Sequence, residues 1–307
     1  MIAGSMLPSF GARAADWPTH EMEMILAFSA GGGTDAVARM IAKLMAKEFK
    51  VNVQVKNVLG GSGLTGFSEI IGSKPDGYTF GVLNVGAMLV LPHIMQVPFK
   101  TEDVAFLGGV AINSYGIGAS VNSEFKTMDD VVRVAKTRVV TYSTSTILNG
   151  FALMQVGNLT GAKFRFVAAN SNPEAVAQAA GGHVDLCVQG PGDMVPIIDG
   201  GQLRLVASAN LTRWPMYPDI KTVKEQGYDA ATVLPIGFAC PAKVPAEIRA
   251  QLEKALASAG RDPEVVEAMN KFGLVPKITT SAELAKSMKE QAVAVEAALI
   301  DAGMKKI

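Results

Sequence analysis

Cysteine is nearly absent from this chain: two occur in 307 residues, Cys187 and Cys240. Each sits in an apolar run, Val184-Asp185-Leu186-Cys187-Val188 and Ile236-Gly237-Phe238-Ala239-Cys240. That is the setting of buried hydrophobes, not of a disulfide framework or a nucleophile. Histidine is equally scarce. His20, His93 and His183 lie far apart and have no partner at ligand spacing, so no metal site is expected. An excess of either charge is missing too, because 28 Lys+Arg face 28 Asp+Glu. This argues against a nucleic-acid partner, which needs a basic face, and against electrostatic docking on anionic membranes. No apolar run reaches the length of a transmembrane helix. No G-x-S-x-G elbow is present, and no histidine–acid pair accompanies Ser143-Thr144-Ser145-Thr146, so a hydrolase triad is not expected.

Glycine is plentiful, at 31 residues, and its placement carries the most information. Phe28-Ser29-Ala30-Gly31-Gly32-Gly33-Thr34-Asp35 follows an apolar strand-like run, Met24-Ile25-Leu26-Ala27. It opens a segment with apolar residues at Val37, Met40, Ile41, Leu44 and Met45, the i, i+3, i+4 spacing of a helix. A strand that turns on glycines into a helix start collects unpaired N–H groups at one point. Together with the positive end of the helix dipole they form an anion site that needs no lysine or arginine. Asp35 is expected to cap or open the helix, since a free carboxylate aimed at an anion would repel it.

The order of signals is α/β. Strand 24–28, helix 35–48, strand 51–55, a Gly60-Gly61-Ser62-Gly63 loop, helix 64–71 and strand 78–84 follow one another. That order implies a mostly parallel sheet covered by helices. A second alternating unit starts near Gly116. It holds helix 128–135, strand 139–143, helix 147–159, strand 163–168, helix 174–180, and strands 184–188 and 203–209. After an apolar strand at 234–240 the tail reads as helical over 246–259, 263–272 and 281–302. Pro245 and Pro263 stand where prolines start helices. These last helices need a sheet to cover, and the first unit is the natural one. The expected domains are therefore 17–115 with 238–307, and 116–237. Two crossings, near Gly116 and Gly237, would permit hinge closure on a ligand.

Other motifs have plainer readings. Gly61-Ser62-Gly63-Leu64-Thr65-Gly66 fits G-x-G-x-x-G, but a dinucleotide fold wants an acid at the end of the next strand. Asp76 lies before that strand, and 78–84 ends without one. Ser143, Thr144, Ser145 and Thr146 suit helix capping combined with ligand contact, their hydroxyls donating to an anion. Asn84 and Gly86 fall just past the third strand, where strand C-termini face a crevice. Residues 1–16 end in Ala12-x-Ala14 and read either as a tail or as the remnant of an export signal.

Several of these segments together resemble the substrate-binding receptors of tripartite tricarboxylate transporters, the Bug family. They are Phe28–Asp35 with Ala38-Arg39, Val55–Gly63, Lys74-Pro75-Asp76-Gly77-Tyr78-Thr79, Gly181-Gly182-His183-Val184-Asp185, Pro218–Tyr228 and Cys240–Pro245. The resemblance runs from about Trp17 to the C-terminus. It implies a two-lobed periplasmic-binding-protein fold of the Venus-flytrap kind, with no enzymatic activity and no cofactor. It further implies a monomer that holds a small organic mono- or dicarboxylate and delivers it to membrane permease subunits. Site residues carried over are Phe28, Ser29, Ala30, Gly31, Gly32, Thr34 and Asp35 in one lobe, with Asn84 and Gly86. In the other they are Ser143, Thr144, Ser145, Thr146, Ala169, Asn170 and Asp185. The chain departs from the family at Ser143–Thr146, where glycines are usual, at Ala169-Asn170-Ser171 in place of Tyr-Lys-Gly, and at Pro235 in place of a tryptophan. These departures touch the cleft walls and leave the ligand open. A receptor that signals to a sensor partner would use the same cleft. A nucleotide-dependent α/β enzyme is the reading from a different class.

Overall fold

The computed structural model describes residues 17–28 and 30–301. The signal-like stretch at 1–16 and Ser29 lie outside the described residues. In chain order the elements are β1 (Met22–Leu26), α1 (Gly33–Phe49), β2 (Val53–Asn57), α2 (Leu64–Ile71), β3 (Thr79–Val82), α3 (Val85–Leu89), α4 (Leu91–Ile94) and β4 (Val104–Ile112). Then come β5 (Gly116–Ser120), α5 (Met128–Thr137), β6 (Val140–Thr144), α6 (Phe151–Thr160), β7 (Phe164–Ala168), α7 (Asn172–Ala180), β8 (Leu186–Gln189), α8 (Pro191–Asp199) and β9 (Leu203–Ser208). The chain ends with β10 (Pro235–Pro241), α9 (Ala246–Gly260), α10 (Pro263–Lys271), β11 (Val275–Thr279) and α11 (Ser281–Asp301).

Two mixed sheets result, with strand orders β11-β4-β10-β3-β1-β2 and β7-β6-β8-β5-β9. In the first, β1, β2 and β3 run parallel, while β10 is antiparallel to both β3 and β4. In the second, β7, β6 and β8 run parallel and β5 is antiparallel to β8 and β9. The strands point mostly one way in each sheet, and the returning strands β10, β11 and β5 make both sheets mixed.

Helices cover both faces of the first sheet. Val37, Ile41 and Met45 of α1 pack with Leu252 and Leu256 of α9, Val265 of α10, and Met24 and Phe80. The opposite face carries Phe67 and Ile70 of α2, and Leu284, Met288 and Leu299 of α11. The local sequence explains the helix starts. Thr127 and Asp130 form a reciprocal capping box on α5. Ser171 caps α7 with Pro173 in its first turn, and Asp262 caps α10 with Pro263.

The chain passes from the first sheet to the second at 113–115 and returns over 209–234. These two crossings bond to one another. Asn113 donates its backbone N–H to the Leu234 carbonyl at 2.8 Å, and the Asn210 amide donates to the Asn113 carbonyl at 2.7 Å. The Tyr115 N–H returns a bond to Asn210 Oδ1 at 2.5 Å.

Candidate functional site

The first glycine turn leaves the C-terminal end of β1 and closes on α1, with Gly32 as its N-cap and no side-chain cap. Gly31 takes φ +85°, a conformation that favours glycine. Asp35 sits in the first helical turn and is 4 % exposed. Its Oδ2 accepts from the Gly31 N–H at 3.0 Å and from Arg39 Nε at 3.1 Å, and its Oδ1 accepts from Asn57 Nδ2 at 2.9 Å. Burial alone would raise the Asp35 pKa, but the bonds from Arg39, Gly31 and Asn57 outweigh it and hold the carboxyl below its ordinary value. Asp35 is thus a closed brace for the turn. It occupies the Gly31 N–H, which is therefore not among the donors open to an anion. The N–H groups of Gly33, Thr34 and Asp35 remain as the first-turn donors that no helical carbonyl can reach.

Asn57 and Arg39 extend this brace and were not foreseen. Asn57 also donates to the Phe28 carbonyl at 2.9 Å and accepts from Arg39 Nη2 at 2.7 Å. Ala30, Gly31 and Gly32 are exposed and Thr34 is half-buried. Asn84, beyond β3, caps α3 by accepting from the Ala87 N–H at 2.8 Å. It also packs so tightly on the second glycine loop that a Cβ on Gly63 would fall 1.9 Å from its Nδ2. Gly86 lies against the same Asn84 side chain. The loops after β1, β2 and β3 therefore share the C-terminal edge of the first sheet.

In the second lobe, Thr144 ends β6 and Ala169 follows β7, and the Ala169 N–H donates to the Thr144 carbonyl at 3.1 Å. Residues 147–150 form a 3₁₀ turn that runs directly into α6. Three of the four hydroxyls of Ser143–Thr146 are bonded within the protein. Ser143 Oγ donates to Gln178 Oε1 at 2.8 Å, Ser145 Oγ to Asn172 Oδ1 at 2.6 Å, and Thr146 Oγ1 to Asn149 Oδ1 at 2.9 Å. Each of these three hydroxyls has one proton to give, so the loop offers its backbone N–H groups and the hydroxyl of Thr144, which accepts from Gln189 Nε2 at 3.4 Å. Asn170 turns to Glu174, donating from its backbone N–H at 2.9 Å and from Nδ2 at 3.0 Å.

Asp185, which the resemblance carries into the site, does not join these residues. It precedes β8, so it stands at the N-terminal edge of the second sheet, opposite Thr144. There it takes a two-pronged bond from Arg138, at 2.9 and 2.7 Å, and accepts from the Thr141 N–H and hydroxyl at 2.8 and 2.9 Å. Burial raises its pKa, and the Arg138 and Thr141 bonds more than reverse this, leaving it below the ordinary carboxylate value. A depressed folded pKa contributes stability that is intact above the unfolded value, ~3.9, and is lost as pH falls through the folded value. The difference in melting temperature between the wild type and Asp185→Asn is therefore expected to be constant near neutrality and to close below about pH 4. A gap that persists unchanged into acid would show that the charge of Asp185 contributes nothing.

The two lobes meet across the glycine turn. A Cβ on Gly33 would lie 3.0 Å from Phe272 Cβ, and one on Gly273 would lie 2.4 Å from Pro191 Cγ. The N-terminus of α1, the 272–273 turn and the N-terminus of α8 are thus stacked in sequence. Beside them Val90 of the first lobe packs with Ile147, Leu148 and Phe151 of the second.

A two-lobed periplasmic-binding-protein fold, in which the start of α8 in one lobe meets the 272–273 turn beside α1 in the other, is the class these features define. The chain belongs to the tripartite tricarboxylate transporter family receptors, whose family model matches residues 37–303. A UPF0065 protein of Bordetella bronchiseptica is 25% identical over 286 residues, covering 92% of this chain and 85% of that protein. Among solved structures, MatC of Rhodopseudomonas palustris with bound malate superposes with a TM-score of 0.76 at 20% identity, covering 92% of this chain and 100% of that one. An R. palustris protein determined with adipate gives a TM-score of 0.78, also at 20% identity, covering 94% and 98%.

Proposed function

We propose that this protein is an exported, monomeric periplasmic receptor that captures a small organic mono- or dicarboxylate between its lobes and delivers it to the permease subunits of a tripartite tricarboxylate-type transporter. In this reading the lobes are 17–115 with 238–307, and 116–237. The observation that carries it is the α1 turn. There buried Asp35, braced by exposed Arg39 and half-buried Asn57, holds the glycine loop open-ended, with first-turn N–H groups and the helix dipole directed past exposed Gly31 and Gly32. Arg39, the nearest cation in the turn, is committed to Asp35 at 3.0 Å, so the anion is held by backbone. The loop at 143–146 and the 3₁₀ turn after it supply the matching N–H groups from the second lobe. The malate and adipate held by structural neighbours are ligands of this chemical kind.

Dipole contacts contribute ~0.3–1 kcal/mol each when exposed and up to ~2 when partly buried. Micromolar affinity needs about 8 kcal/mol. The remainder must come from direct hydrogen bonds and from apolar contact as the lobes close. A thermal-shift series of aliphatic and aromatic mono- and dicarboxylates, with nucleotides as controls, tests the reading. A ligand at 100 times its Kd is expected to stabilise the fold by ~2.7 kcal/mol. A response to nucleotides alone would overturn it.

A further inference from the structure

Gln189 and Asp193 flank the turn that joins β8 to α8, and neither entered the sequence reading of the site. Gln189 is fully buried at the C-terminal end of its strand. Its Nε2 makes one long contact, 3.4 Å, to Thr144 Oγ1, and its Oε1 has no partner. A buried acceptor left unpaired costs free energy unless something arrives to donate to it. Asp193 lies four residues on, in the first turn of α8. Its carboxylate has a single side-chain donor, Asn172 Nδ2 at 3.1 Å, whose Oδ1 is in turn held by Ser145. Among the described residues neither Asp193 nor nearby Glu174 forms an ion pair. Burial raises the Asp193 pKa and the Asn172 bond only partly offsets it. The contrast with Asp35 and Asp185, each matched by an arginine, is plain.

The site thus has two unlike ends. Around α1 and the 144–148 loop it offers N–H donors for an anion. Around Gln189 and Asp193 it offers acceptors and an unneutralised carboxylate, each two residues from Pro191, which touches the first lobe through Gly273. Resting on the carboxylate-receptor reading, we propose that the ligand is an amino acid, its carboxylate on the N–H groups and its ammonium on Asp193 Oδ and Gln189 Oε1. An ammonium has three donors and no acceptor, which is what this end lacks. Charge-assisted bonds to a carboxylate are also the stronger kind.

The test is calorimetric titration with matched probes that differ only in the amine: L-glutamate against glutarate, L-leucine against 4-methylpentanoate, and 4-aminobutyrate against butyrate. At neutral pH the amino member of at least one pair is expected to bind at least 10-fold more tightly. Asp193→Asn keeps an acceptor for Asn172 and is expected to abolish that preference without lowering the melting temperature. Preference for the amino member is also expected to fall with pH, as Asp193 takes up a proton. Tyr115, which faces it, is pushed up by burial and by the Asp193 charge and keeps its proton in that range. If the amine-free acids bind as well or better and Asp193→Asn changes nothing, the amino-acid proposal is overturned and the carboxylate receptor stands. If neither member of any pair binds, and no other carboxylate shifts the melting curve, both fall together.

Discussion

Thr34→Asp is expected to leave the fold intact and to remove ligand binding. Thr34 is the second residue of α1, half-buried in the turn whose N–H groups are proposed to hold the ligand carboxylate. An acid in the first turn of a helix is favourable, typically by ~0.3–1 kcal/mol, because it meets the positive end of the dipole. The same acid competes with the ligand for that end and repels it. At ~4 Å and an effective dielectric near 20, two like charges cost about 4 kcal/mol, which is roughly a 1000-fold loss in affinity. Stability and binding therefore move in opposite directions. This separates a lost site from a damaged fold, and the neighbouring Asp35 already shows that the turn tolerates a carboxylate when it is folded back on Arg39. Melting temperature and calorimetric affinity for the tightest carboxylate, measured on the same preparation, decide the matter. An affinity within threefold of the wild type would remove the α1 turn from the site.

The two halves of the site differ in how far sequence could reveal them. The α1 turn was legible because backbone recognition depends on glycine, strand and helix in series, and that order is visible in the chain. The strand–helix order of the first unit and the three C-terminal helices were legible for the same reason, since periodicity and helix-starting prolines mark them. β4 was not, because Gly108 and Gly109 interrupt its apolar run, and both sit where a side chain would strike the Thr279 segment. α8 was hidden by Pro191, Gly192 and Pro196, which read as a loop although Pro191 opens the helix. β11 was hidden by its brevity and by Pro276, tolerated because this strand lies at the edge of the sheet. Asp185 could have been placed correctly, since it precedes its strand and ligands gather at strand C-termini. Gln189 and Asp193 could not. Their significance is a lack of partners, and that is a property of the folded surroundings.

Phe151→Ala is expected to have the largest effect on stability of any single change near the site. Phe151 is the first residue of α6 and 9 % exposed. With Ile147 and Leu148 it packs on Val90, Val295 and Leu299, which belong to the other lobe. The proposed ligand loop at 143–146 is therefore anchored, through the residues that follow it, to the first lobe as well as to its own sheet. Truncating a buried phenylalanine typically costs 3–5 kcal/mol. For a chain of this size that corresponds to roughly 5–8 °C in melting temperature. Because the lost contacts join two lobes, the damage should also reach binding: the 144–148 N–H groups lose their fixed position relative to α1, so affinity falls with stability. Phe164→Ala provides the contrast, since Phe164 packs within the second lobe alone. It is expected to lower the melting temperature while leaving affinity near the wild-type value. Should both variants lose stability and neither lose affinity, the shared apolar cluster would be a structural joint only, and the alignment of the two donor loops would have to come from the paired crossings at Asn113 and Asn210.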